Sequence, residues 1–211
     1  MTRPRRRRLI WASLAGLVGV LVLLPSLAPA TIEEQRSRLP PPADATQCPN
    51  AVEGVWKSLR WYPGNGAWYS FVLEVHMVGG RLNGQIDAYS WDTPPNVSEP
   101  GPCVPGLSHW VVTQTAEGTV DGLRLNFHGT RWAVRDVYCG PRPFGYNLDN
   151  FSGVIDTTLQ EFQSVNNDGG AQIDEPTVFR RIRCFTPEQP PHPFVRPPAF
   201  QPPRRRWGCS H

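Results

Sequence analysis

The sequence predicts an all-β chain, an antiparallel meander of about seven or eight short strands closing into a small barrel or sandwich, with an extended tail at each end. Three observations carry this. Residues 69–77 alternate with a period of two: Tyr69, Phe71, Leu73, Val75 and Met77 fall on one face, and Ser70, Val72, Glu74 and His76 on the other. Gly79-Gly80 follows as a tight-turn signal, and residues 82–89 resume an extended run, so the pair reads as a hairpin. Turn-punctuated apolar segments then recur up to Asn166-Asn-Asp-Gly-Gly170 and a last strand at 177–185.

The elements follow in order. Residues 1–30 open with five arginines and no acid, continue into the apolar run 9–24 and reach Ala28 and Ala30. That order marks a signal peptide cut after Ala30, with an uncleaved membrane anchor as the alternative. Residues 31–47 are polar and contain Pro40-Pro-Pro42, which predicts a disordered, proline-rich linker. The domain proper spans 48–186. Within it, 91–106 holds five prolines and two glycines and predicts a long loop. Segments 109–115 and 123–128 read as strands joined through Glu117-Gly118, and 132–138 as a further strand. Residues 146–156 are a weaker extended segment, and 157–164 a short helix or irregular loop. Residues 187–211 are proline- and arginine-rich and predict an extended, disordered tail with capacity for cell-envelope contact.

Charge excludes one class of partner. The chain is +3 overall, but the first 30 residues supply +5, leaving −2 on the remainder and −4 on 48–186. The basicity is a targeting feature, and no nucleic-acid partner is expected.

Export permits disulfides. Cys48 precedes the first strand and Cys184 lies in the last, which a closed meander makes neighbours; Cys103 in the proline-rich loop then pairs with Cys139 at a turn, leaving Cys209 over.

The aromatic residues are the candidate ligand contacts. Trp61, Tyr62 and Trp68 flank a Pro-Gly-Asn-Gly turn, while Trp91 and Trp110 bracket the long loop, and rings near a barrel mouth suit a small apolar or carbohydrate ligand. Trp56 and Trp132 read as core fillers. Acids at 149, 156, 161, 168, 174 and 175 cluster in sequence, and two of them in one cleft would suit glycoside hydrolysis. His76, His109 and His128 lack the spacing of a metal site and read as sheet-face residues. With no Gly-x-Ser-x-Gly and no phosphate loop, neither catalysis nor a cofactor is expected. A structural envelope protein acting through its tail is the alternative to ligand binding.

Gly54-Val55-Trp56, opening the first strand, resembles the Gly-x-Trp start of the calycins: lipocalins, fatty-acid-binding proteins and avidins. The resemblance implies a barrel with an interior cavity for a small apolar or amphipathic ligand. It further implies an arginine from the end of the barrel, Arg180 or Arg181 beside Phe179, covering Trp56.

Overall fold

The computed structural model describes residues 31–185. The expected signal segment 1–30, the tail 187–211 and Cys209 lie outside the described residues. Among the described residues no helix is long and apolar enough to cross a membrane.

Nine strands follow as an antiparallel meander: β1 Gly54–Lys57, β2 Arg60–Tyr62, β3 Ala67–Val78, β4 Arg81–Trp91, β5 His109–Asp121, β6 Arg124–Cys139, β7 Asn150–Asp156, β8 Glu161–Asn166 and β9 Glu175–Arg183. Each pairs with its predecessor from β3 onward, and β1 pairs with both β9 and β3, so eight strands close into a barrel. Closure leaves the cylinder without two long free edges. β2 is the extra strand. It continues the line of β1 along the other end of β3 after a break at Ser58-Leu59. Ser58 bridges that break, its N–H donating to the Phe71 carbonyl at 2.9 Å and its Oγ accepting from the Phe71 N–H at 3.1 Å.

The alternation read in 69–77 sets the inside of the barrel. Phe71, Leu73 and Val75 are fully buried and pack with Trp56, Leu82, Ile86, Phe127, Phe151, Ile155, Phe162 and Phe179. These residues occupy the end from which β1 rises, here termed the base. The Gly79-Gly80 turn has positive φ at both residues, 59° and 79°, which a side chain would strain. Both expected disulfides form, Cys48–Cys184 at the base and Cys103–Cys139 between the long loop and the top of β6.

Three expectations about strands and turns need correction. The β5–β6 turn falls at Gly122 and Leu123, not at Glu117-Gly118, because Gly118 is a paired, buried strand residue: a Cβ there would sit 2.0 Å from the Asn126 carbonyl oxygen. From Arg124 on, the two stretches read separately at 123–128 and 132–138 are one strand, β6, whose register slips three times against β5. Each slip is a bulge that interrupts the alternation. Residues 157–160 form a turn and β8 follows directly.

The stretch 31–47 is not a disordered linker. Thr31 caps a short helix, α1 Ile32–Arg38, in a reciprocal box with Glu34. Gln35 is fully buried, and its amide accepts from the Val178 N–H and donates to the Pro176 carbonyl, both at 3.0 Å. It thus stands in for a strand partner along the part of β9 that β1 does not reach. Arg36 reaches Glu161 at 2.8 Å, and Ala43 N–H donates to Arg181 at 2.8 Å. The three prolines come after the helix has ended and so leave it intact.

Candidate ligand site at the barrel mouth

The inward-facing rings are fully buried at the base of the barrel and partly exposed at its other end, here termed the mouth. Register places Tyr69, Ser90, Trp110, Val112, Gln114 and Trp132 on the inner wall, because cross-strand partners share a face. Trp110, Trp132 and Tyr69 each keep part of their surface in solvent, whereas the rings below them, Phe71, Phe127 and Phe151, keep none. Tyr146, on the loop 140–149 joining β6 to β7, packs between the two indoles, with ring centroids 6.0 Å from Trp110 and 6.1 Å from Trp132. Tyr62 stands edge-on to Tyr69 at 6.1 Å.

Between these rings and the apolar base lies a buried polar layer. Asp149 is 1 % exposed and accepts three hydrogen bonds from uncharged donors: the Tyr146 hydroxyl at 2.6 Å, Gln114 Nε2 at 2.6 Å and Asn166 Nδ2 at 2.7 Å. Burial pushes its carboxyl up to about 6 despite those three donors. The Tyr146 hydroxyl is held well above its ordinary value, first by burial and then by the neighbouring carboxylate. Gln114 also accepts from the Asp149 N–H at 3.1 Å, so the side chain grips the loop through both ends of its amide. Gly129 makes that grip possible. A Cβ there would lie 2.0 Å from the Gln114 Oε1.

Arg60, 2 % exposed, completes the layer from β2. It donates to Gln172 at 2.8 Å and to Glu175 at 3.2 Å, and lies over the Tyr62 ring at 5.4 Å. Burial lowers its affinity for the proton, and Glu175 opposes that effect.

The structure divides the five aromatic residues singled out from sequence. Tyr62 and Trp110 face the mouth. Trp61, Trp68 and Trp91 lie in mutual register on the outer face of the wall, with centroids 5.7 Å and 6.5 Å apart along the row. Trp68 is fully buried there beneath Arg38, 4.9 Å above its ring, and packs with Leu39, Leu59 and Val178. A single pocket cannot touch both sets. Trp132, read as core, is instead half-exposed at the mouth. Tyr146 and Gln114 were not singled out and Asn166 was read only as a turn residue; contacts between separate strands and loops bring Gln114 and Asn166 to Asp149.

The clustered acids serve separate structures. Asp156 accepts from the Thr158 and Leu159 N–H groups, Asp168 from those of Gly170 and Gln172, and Glu161 lies between Arg36 and Arg180. Only Asp149 is buried in the mouth layer. The three histidines stay apart: His76 contacts Glu74 at 2.9 Å, His109 lies 4.5 Å from the Tyr138 ring, and His128 is 3.7 Å from Glu117. Among the described residues no group of three His, Cys, Asp or Glu is placed to hold a metal ion. A groove of about 280 Å³ lies at the base beside Val120, Arg124 and Ser152, but no aromatic ring lines it.

Comparison with protein-family models, curated proteins and solved structures finds no match to this chain.

Proposed function

We propose that this chain is an exported, non-catalytic binding domain that takes a small apolar or sugar-like ligand in the barrel mouth. The observation that carries this is the contrast along the barrel axis: inward-facing rings are fully buried at the base and partly wet at the mouth. A barrel built only for stability gains by burying such rings, each of which offers roughly 150–250 Å² of surface. Exposed flat faces above fixed hydrogen-bonding groups are the ordinary composition of a ligand site. Support for export comes from the two disulfides, which persist in oxidising compartments.

Support for reading the barrel as calycin-like comes from its base. Arg181, 2 % exposed, lies with its guanidinium 5.2 Å from the Trp56 ring centroid, and it donates to the Asn50 carbonyl at 2.7 Å and to Gln160. Trp56 in turn donates to the Val52 carbonyl at 2.9 Å.

Titrating the protein with apolar fluorescent dyes and with mono- and disaccharides, followed by tryptophan emission, tests the proposal. Trp110→Ala and Trp132→Ala are expected to weaken binding about tenfold or more each, the scale of losing one well-packed ring, while Trp61→Ala leaves it unchanged. Unaltered affinity in both mouth variants would remove the site.

A further inference from the structure

We propose that the mouth selects a cation, an alkylated ammonium or protonated amine carried on a small apolar body, through the rings of Trp110, Trp132 and Tyr146 backed by the Asp149 carboxylate. This rests on the binding role proposed above and names the chemical class of its ligand.

The argument begins with Asp149. A carboxylate that is 1 % exposed is normally paired with a cation or a metal. Here, among the described residues, its side chain meets a phenol and two amides and takes part in no ion pair. The charges on the surrounding elements do not offset it. Asp168, from the loop after β8, adds negative potential at Asp149. Arg60, from β2, feels Asp149 only at longer range, and its guanidinium lies 3.2 Å from Glu175 of β9. The layer holds one cation against the carboxylates of Asp149, Asp168 and Glu175. Neither β5 nor β8 brings a charge to Asp149, only Gln114 and Asn166, and Arg142 of the 140–149 loop is exposed.

The rings convert that imbalance into selectivity. An aromatic face presents negative potential to a cation, and indole presents it most strongly. Two indoles flank Tyr146, whose hydroxyl proton points at the Asp149 carboxylate, so the phenol ring relays the field of a buried anion toward the mouth. A cation held over these rings supplies the positive charge that Asp149 lacks without requiring the carboxylate to reach solvent. Binding and ionisation of Asp149 are therefore linked: the ligand favours the charged carboxylate, and the protonated form binds it less well.

Choline and benzyltrimethylammonium serve as cationic probes, and 3,3-dimethylbutanol as the uncharged isostere of choline, with binding followed by tryptophan emission. The cationic probes are expected to bind at least about tenfold more tightly than the isostere. Their Kd is expected to rise about tenfold between pH 7 and pH 5, as the fraction of ionised Asp149 falls. Asp149→Asn should flatten that pH dependence. Should Asp149→Asn not fold, Tyr146→Phe retains the ring but removes a donor that favours the charged carboxylate, and moves the midpoint to higher pH. Equal affinity for the cation and its isostere, lost in Trp110→Ala, overturns cation selection and leaves the mouth as a ligand site. Failure of cations, isostere, dyes and sugars alike to bind removes the mouth site and this inference with it.

Discussion

Asp149 makes the stability of this domain depend on pH in an unusual direction, and the substitution Asp149→Asn exposes it. The carboxyl titrates at about 6 in the fold against 3.8 as its ordinary value. A folded state with the higher value holds the proton more tightly than the unfolded chain. The stabilisation is therefore complete below pH 3.8 and is lost as pH rises through 6, the reverse of a salt-bridged carboxylate. A difference of about two pH units corresponds to about 3 kcal/mol in all, of which roughly 2 kcal/mol falls between pH 4 and pH 7. Asn at this position cannot ionise, but its amide presents an NH₂ to one of the three donors around Asp149, at a cost of roughly 1–3 kcal/mol. The variant is thus expected to be less stable than the parent at pH 4 and near parity at pH 7. Urea unfolding at several pH values measures both, provided the slope with urea is unchanged. Other carboxylates cancel in the comparison, including Asp87, whose burial also raises it. Equal change in unfolding free energy between pH 4 and 7 for parent and variant would refute the argument.

Three further outcomes follow from the packing. Gly129→Ala forces the Gln114 amide away from Asp149 and is expected to cost about 1–3 kcal/mol, read as a lower urea midpoint with faster amide exchange in the loop 140–149. Arg181→Ala uncovers Trp56 and leaves the Gln160 and Asn50 oxygens without their donor; a loss of about 3–5 kcal/mol is expected, and Arg181→Lys should not restore it because one amine cannot cover the ring and reach both sides. Removing Cys103–Cys139, which spans 36 residues, is expected to cost about 4 kcal/mol and Cys48–Cys184, which spans 136, about 5 kcal/mol, by loop entropy; a larger loss from the shorter link, in thermal unfolding of serine pairs, contradicts that ordering.

Period-two alternation made the β3–β4 hairpin and the barrel's inner face readable, because Phe71, Leu73 and Val75 face one uniform apolar core. The same rule fails in β6, where three bulges each shift the alternation by one residue; Trp132, read as core from its size, does face inward but stands near the mouth, and size does not register depth along the barrel. Proline counting misjudged 31–47 for a local reason: Thr31 and Glu34 form a capping box ahead of the prolines, and composition does not register position. The disulfides were legible because closing a meander fixes which ends meet. The candidate site was legible only in part. Parity puts Trp110 and Gln114 on the same face of β5, yet nothing local says that Tyr146 and Asp149 will fold across the top of β6 to meet them.

The outer aromatic row shows why residue type alone misplaces a site. Trp61, Trp68 and Trp91 share the aromatic composition of the mouth rings, and along β2 and β3 Trp61 and Trp68 stand one residue out of phase with Tyr62 and Tyr69 of the mouth. What separates the two sets is the covering element. On the outer face, Arg38 at the end of α1 and Leu39 just after it close over Trp68, and the Trp68 indole donates to the Pro94 carbonyl at 3.1 Å, so the row is completed by its own chain. On the inner face, Tyr146 reaches between Trp110 and Trp132 but leaves both partly wet, and its hydroxyl is committed to a carboxylate below. Trp68→Ala is therefore expected to act on stability, with a loss of about 3–5 kcal/mol and freer exchange in α1, while ligand affinity measured below the melting transition stays unchanged. Trp132→Ala is expected to do the opposite, changing affinity with little change in midpoint. If both substitutions moved the same quantity, the wall between the two sets would not separate their roles.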